Sequence, residues 1–281
     1  MDARAKRHST ILKRAATVFP ASLPAKGMVP AVVKAVRLLD ALAAAKEPLT
    51  LSQLARQLRL PKSTVHALCS TLAQMSLVRR SDSNTYDLGR HVMDWTNSLL
   101  RRTNLTVEFV RLWDALALLP EETSVLSILD GADVVDIACR NGARPLGLDF
   151  RIGMRMPANC TATGKALLST LSPERLRELA ESGGFKVLTN KSVADLPTLS
   201  VQLEQARRRG YAVDDEETRP GMFCVGAPVF DPFTGEAVAS VAVSLLKAAM
   251  DRQQKQLACT AVTRLAGELS KIVGPPGILH P

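Results

Sequence analysis

The segment from Leu51 to Tyr86 constrains this chain more than any other. It reads Leu51-Ser-Gln-Leu-Ala-Arg-Gln-Leu-Arg-Leu60, then Pro61-Lys-Ser-Thr-Val-His-Ala-Leu-Cys-Ser-Thr-Leu72, and further on Leu77-Val-Arg-Arg80 and Asn84-Thr-Tyr86. Apolar Leu51, Leu54, Ala55 and Leu58 fall on one face of a short helix, since positions three and four apart are neighbours there. Pro61 suits the first turn of a second helix, where its missing N–H removes no hydrogen bond. Val65, Leu68 and Leu72 then turn inward, leaving Lys62, Ser63, Thr64, His66, Ser70 and Thr71 outside. Short donors and a lysine at the N-terminal end of an exposed helix face suit the major groove of double-stranded DNA. Arg79 and Arg80 beside a Ser81-Asp-Ser-Asn84 turn predict a two-stranded wing. Residues 28–89 therefore read as a winged helix-turn-helix, with Lys62, Ser63, Thr64, His66, Ser70, Arg79 and Arg80 as candidate DNA contacts.

The charge distribution points the same way. Residues 1–95 hold 15 of the 36 Lys and Arg but only six of the 27 Asp and Glu, so the whole excess of +9 lies there. Neutralising phosphates with such a region releases counterions and drives binding. Arg4, Lys6, Arg7, Lys13 and Arg14, with Pro20 and Pro24, predict a disordered basic arm over 1–27. At 281 residues the chain can hold two domains, and with 4% aromatics its cores must be aliphatic. No apolar run reaches the roughly 18–20 residues that span a bilayer, so no membrane partner is expected. Five separated cysteines without a CxxC pair fit a reducing, cytoplasmic setting.

The remaining pattern is α+β. A first helix is expected from about Pro30 to Ala45, with Val33, Val36, Leu39, Leu42 and Ala43 inward, Pro48 closing it and Thr50 or Ser52 capping the next. Leu88, Val92, Trp95 and Leu99, then Leu105, Phe109, Leu112, Leu116 and Leu119, give apolar seams over a helical segment at 90–120. Such seams fit either a dimerising linker, which half-site recognition requires, or a helix packed on its own domain. Over 121–274, Thr123–Leu129 and Val134–Arg140 read as a hairpin around Asp130-Gly-Ala-Asp133. Helices are expected at Asn159–Leu171, Pro173–Glu181, Leu196–Arg209 and Met250–Ile272, and strands at Cys224–Phe230 and Ala237–Leu246. That mixture predicts a sensor-type α/β sandwich.

Several blocks carry a family resemblance: Leu60-Pro-Lys-Ser-Thr-Val-His66, Tyr86-Asp-Leu-Gly89, Met156-Pro157, Thr161-Ala-Thr-Gly-Lys-Ala-Leu-Leu168, Gly210-Tyr-Ala-Val-Asp-Asp-Glu-Glu217 and Gly221-Met-Phe-Cys-Val-Gly-Ala-Pro-Val229. In order and separation, from about Val29 to Val273, they resemble the isocitrate lyase regulator (IclR) family of transcription factors. The resemblance implies a winged helix-turn-helix, a helical linker and a GAF-like effector-binding domain. It also implies a homodimer or dimer of dimers on a palindromic operator, answering to a small carboxylic acid or aromatic catabolite. Ser63, Thr64 and His66 would lie on the recognition helix, with Ala67 where the family usually has Arg. Ala162 and Thr163 would wall an effector pocket faced by Asp214, Met222 and Cys224, with Ala242 and Ser244 from a later strand. Asn159-Cys160 replaces the His-Ala pair of many relatives, and Ala242 replaces a serine found in some.

The residues themselves allow part of this. A helix beginning at Thr161–Gly164 exposes unpaired N–H groups that favour a carboxylate, unless the threonine hydroxyls merely cap it. By composition Asp214–Glu217 reads as a solvated acidic turn, and Cys224 as a small buried hydrophobe. An Asp214 that faced the pocket would accept a hydrogen bond from a ligand hydroxyl. Enzyme chemistry is disfavoured: the histidines are His8, His66, His91 and His280, so 92–279 holds no imidazole base. Gly164-Lys165 fails as a phosphate loop because Asn159 and Ala166 stand where Gly and Ser/Thr are needed. No catalytic residue, cofactor or metal is expected. The alternative is an enzyme or metabolite-binding protein with an accessory DNA-binding module.

Overall fold

Local signals set most of the elements. The computed structural model describes residues 28–81, 83–95, 105–143, 150–183 and 185–273, and divides into two compact units at Arg102/Thr103. The arm expected over 1–27, the aspartate of the wing turn and the Arg101–Asn104 junction lie outside the described residues.

In the first unit, α1 (Pro30–Ala44) starts with proline and is followed by β1 (Leu49–Thr50), α2 (Leu51–Leu58), α3 (Lys62–Gln74), β2 (Val78–Arg80) and β3 (Thr85–Leu88). Thr50 and Gln53 form a reciprocal capping box that satisfies two N–H groups at the start of α2. Arg59, in the left-handed region at φ 56°, stops α2 and redirects the chain. The core joins Leu38, Leu42, Leu54, Leu58, Val65 and Leu72 with Cys69 and Tyr86. Three details differ from the sequence reading. The inward stripe of α1 is Leu38, Ala41 and Leu42, while Val36 and Ala43 are exposed, because the seam is rotated by part of a turn. Pro61 is the N-cap rather than the first helical residue. The wing is three-stranded, in the order β1-β3-β2, because Leu49–Thr50 adds an edge too short to read as a strand.

The second unit contains α4 (Leu105–Leu116), β4 (Thr123–Asp130), β5 (Asp133–Arg140), β6 (Arg155–Pro157), α5 (Ala162–Leu168), α6 (Pro173–Gly183), α7 (Leu196–Arg209), β7 (Ala212–Asp215), β8 (Met222–Phe230), β9 (Ala237–Leu246) and α8 (Arg252–Ile272). Six strands pair antiparallel in the order β6-β5-β4-β9-β8-β7. The two edge strands escaped the sequence reading because three or four residues leave no alternation to see. Leu105, Phe109 and Trp113 of α4 are buried, and the helix packs on α8 and β5, so this half of the 90–120 seam is covered by its own unit. Residues 91–95 are helical in the first unit.

Successive strand residues alternate in facing, so the sheet separates two helical layers. Phe223 lies under Lys255 of α8, whereas Gly226 of the same strand meets the backbone of Ala162 and Thr163 in α5. The row across the strands at that level is Ala212, Gly226, Ala242 and Val125, small enough for α5 to settle onto β8. A Cβ at Gly226 would lie 2.6 Å from the Ala162 carbonyl carbon. α5 begins at Ala162 rather than Asn159 because Asn159 is held outside it, donating its amide to the carbonyls of Lys186 (2.7 Å) and Val193 (2.9 Å). Thr161 then caps Gly164 N–H at 3.0 Å. Neither backbone can retreat, so Gly226→Ala should cost about 3 kcal/mol or more in urea unfolding, at the upper end of overpacking penalties; a loss below about 0.5 kcal/mol would show that the contact yields.

Candidate functional site

On the first unit, Lys62, Ser63, His66 and Ser70 are exposed along α3, and Thr64 is half-buried on its flank. Val65, Cys69 and Leu72 anchor the opposite side of the helix. In the wing Arg80 donates to the Asn84 side-chain oxygen and Arg79 lies 3.5 Å from Asp87, both at exposed positions. Asn84 turns the chain at φ 56°. One helix face and two wing arginines thus stand free of the core.

On the second unit one small cavity opens between α5 and the concave face of the sheet. All seven residues expected to face a pocket line it: Ala162, Thr163, Asp214, Met222, Cys224, Ala242 and Ser244. Cross-strand register explains the convergence, since Asp214 pairs with Cys224 and Cys224 with Ser244 on adjacent strands, which puts the three on one face. The Cys224 thiol donates to Ser244 Oγ at 3.2 Å. Burial, followed by the charge of Asp214, raises its pKa well above the usual thiol range, so it stays protonated.

Asp214 is 1% exposed and Glu217 5%, which overturns the solvated acidic turn. Asp214 Oδ1 accepts from Glu217 N–H (2.7 Å) and Thr218 N–H (3.1 Å), and Glu217 pairs with the buried Lys165 of α5. Gln202 accepts a second bond from Lys165 at 3.0 Å. Burial raises the pKa of Asp214, opposed by its bonds to Thr218 and by the charge of Lys165. Burial likewise raises that of Glu217 against the pull of Lys165. The exposed charge of the turn sits at Asp215, paired with Lys247, and half-buried Glu216 is held to about 2 by Lys191 and Lys247. Lys165 thus serves as a buried tie between α5 and the turn that carries Asp214.

No His, Lys or Arg is among the described residues lining the cavity. Among the described residues, no three His, Cys, Asp or Glu side chains converge as a metal ion requires. The arrangement can hold a ligand by hydrogen bonds and apolar contact.

With this geometry, comparison with known proteins is decisive. The IclR helix-turn-helix domain model matches residues 31–82, and the model for the C-terminal part of bacterial IclR transcriptional regulators matches 97–271. The chain belongs to the IclR family. It is similar to the regulator BhcR of Paracoccus denitrificans, with 33% identity over 251 residues covering 89% of each chain. It is also similar to the Escherichia coli repressor IclR, with 30% identity over 238 residues covering 83% of this chain and 85% of that one. The crystal structure of Thermotoga maritima IclR superposes with a TM-score of 0.71 at 26% identity, over 87% of this chain and 98% of that one. These relatives are regulators and repressors, and this chain is a transcriptional regulator rather than an enzyme. No helix among the described residues is long and apolar enough to cross a membrane.

Among the polar residues of the cavity that the sequence reading of this IclR-type effector domain missed is Asp136. It is 4% exposed, and Oδ1 accepts from Ser127 Oγ at 2.7 Å while Oδ2 has no partner among the described residues. Its neighbours in sequence gave little signal, since an aspartate in Asp133-Val-Val-Asp-Ile reads as the solvent side of an alternating strand. Burial pushes its pKa up to about 6, although the Ser127 bond pulls the other way. The folded protein therefore holds this proton more tightly than the unfolded chain, and stability falls as pH rises from about 4 to 6. Ionising the buried carboxyl costs up to about 3 kcal/mol at neutral pH, at 1.36 kcal/mol per pKa unit. Asp136→Asn should flatten the pH 4–6 slope of unfolding free energy and raise stability at pH 7 by about 1–3 kcal/mol; an unchanged slope would refute the assignment.

Proposed function

We propose that this regulator binds an operator through α3 and the wing, and that a small effector in the cavity of the second unit controls that binding. The observation carrying the effector reading is that seven residues from α5, β7, β8 and β9 line one cavity with partnered acceptors and a neutral thiol. The N–H groups of Ala162 and Thr163 lie in the first turn of α5, where no intrahelical acceptor reaches them. Together with the Thr163 hydroxyl they favour the carboxylate end of a small acid. That the Thr161 hydroxyl caps Gly164 leaves Thr163 free for this role. The effector is then a short carboxylic acid, or an aromatic acid if Phe150 and Met222 give way.

Lys62, Ser63, His66, Ser70, Arg79 and Arg80 carry the DNA contacts in this reading, with Thr64 contributing from the flank. Ala67 is exposed between His66 and the end of that face, so the contact expected of an arginine there falls to Lys62 or to the wing arginines. Exposed Met93 and Trp95 on the 91–95 helix support self-association, as a dimer or dimer of dimers, which two half-sites demand.

Fluorescence anisotropy with an operator duplex tests the DNA assignment. Lys62→Ala should weaken binding to every sequence and lower the salt slope by about one, whereas His66→Ala should relax sequence preference by roughly 1–3 kcal/mol. A uniform loss for both would leave His66 as a backbone contact. For the effector site, Thr163→Val and Asp214→Asn should keep operator affinity while abolishing its change on adding an active acid. The asparagine preserves the acceptor for Glu217 and Thr218, so a normal response from both variants would place the effector elsewhere.

A further inference from the structure

The cavity has a polar group that the seven residues above do not include. Asp136 enters from β5, beyond the centre of the sheet from Asp214 on the edge strand β7. One of its oxygens accepts from Ser127, and the other, Oδ2, is buried without a donor among the described residues, in a side chain that lines the cavity. Ser240, which pairs with Ser127 across β4 and β9, has a buried hydroxyl likewise without a partner among the described residues. Around Asp136 the lining is apolar, with Val134, Phe150 and Met156. A buried acceptor left unpaired has lost its hydration with nothing in return, and the penalty is larger when it is charged. A donor brought by a ligand would recover that cost only in the bound state.

We propose that Asp136 is a specificity-determining acceptor of the effector cavity, receiving a hydrogen bond through Oδ2 from a hydroxyl or ammonium group on the effector. The cavity then selects hydroxy or amino acids over unsubstituted acids of the same carbon skeleton. This rests on the reading of the cavity as an effector site. A site built to pair a substituent rejects the analogue lacking it, because its own polar group is then stranded. The raised proton affinity of Asp136 agrees with this, since an incoming ammonium or hydroxyl relieves a carboxylate short of solvation. Asparagine at this position would keep its oxygen on Ser127 and turn its NH2 toward the cavity, replacing an acceptor by a donor.

The test uses full-length protein and calorimetric titration with two matched sets, propionate, lactate and alanine, and butyrate, 3-hydroxybutyrate and 3-aminobutyrate. Wild type should bind a hydroxy or amino member at least about tenfold more tightly than its plain acid, the size of one hydrogen bond to a charged group. Asp136→Asn should remove the preference for the amino member, because ammonium cannot accept from NH2, and change that for the hydroxy member less, because a hydroxyl can. Binding of plain acids as tight as that of their substituted partners by wild type overturns the proposal without any variant, while leaving the effector site in place. A preference for the amino member that survives Asp136→Asn does the same. Failure of all six acids to bind folded wild-type protein overturns the acid-effector reading itself, and the role of Asp136 with it.

Discussion

The second unit depends on one close approach, that of α5 to β8. At Gly226 the helix and strand touch backbone to backbone, and inside α5 Gly164 leaves equally little room, its hypothetical Cβ lying 2.2 Å from the Ala158 carbonyl oxygen. Packing at this distance brings the first turn of the helix down to the level of Cys224, Ala242 and Ser244. The cavity exists because the small row of Ala212, Gly226 and Ala242 gives way, two residues along the strands, to the polar row of Asp214, Cys224 and Ser244. Lys165 and Glu217 lock the same helix to the turn after β7, so Asp214 cannot move independently of α5.

That lock has an energetic consequence. Buried ion pairs seldom add much net stability, because desolvation offsets attraction, but removing one partner strands the other charge. Lys165, Glu217, Asp214 and Asp136 concentrate such costs around one small space. A domain selected only for stability would fill these positions with aliphatic side chains, as it does in the layer formed by Leu167, Leu168, Leu199 and Leu203. Polar groups kept at a cost in one cavity are what a binding site requires, which is the ground of the proposed effector role.

The first unit works by a different rule. Its contacts with DNA need no cavity, only a helix whose inner face is anchored and whose outer face is polar. Val65, Cys69 and Leu72 supply the anchor, and the capping box at Thr50 with the left-handed turn at Arg59 fixes the angle at which α3 is presented. An excess of positive charge confined to this end of the chain then draws it to a polyanion, while the neutral remainder is left to sense a metabolite.

Much of this was legible in the sequence, and the division has a physical basis. Helix periodicity, caps and turn residues act over a few positions, so α2, α3, α7, β9 and the hairpin at Asp130–Asp133 could be read directly, as could the charge asymmetry. The family resemblance named seven of the residues that line the cavity. Tertiary structure decided what depends on partners distant in the chain. Whether Asp214 and Glu217 are solvated turned on Lys165, some fifty residues earlier, and on the space left by Gly226. Asp136 drew no notice in the sequence, and it is buried because β5 places it on the face of Val134 and Ala138, paired with Ser127 on β4. The edge strands β6 and β7 exist only because neighbours offer them hydrogen bonds, and the seam of α4 is satisfied by α8. Local chemistry determined the elements and the DNA-facing helix, and the burial of charge, which requires the whole sheet, decided the cavity.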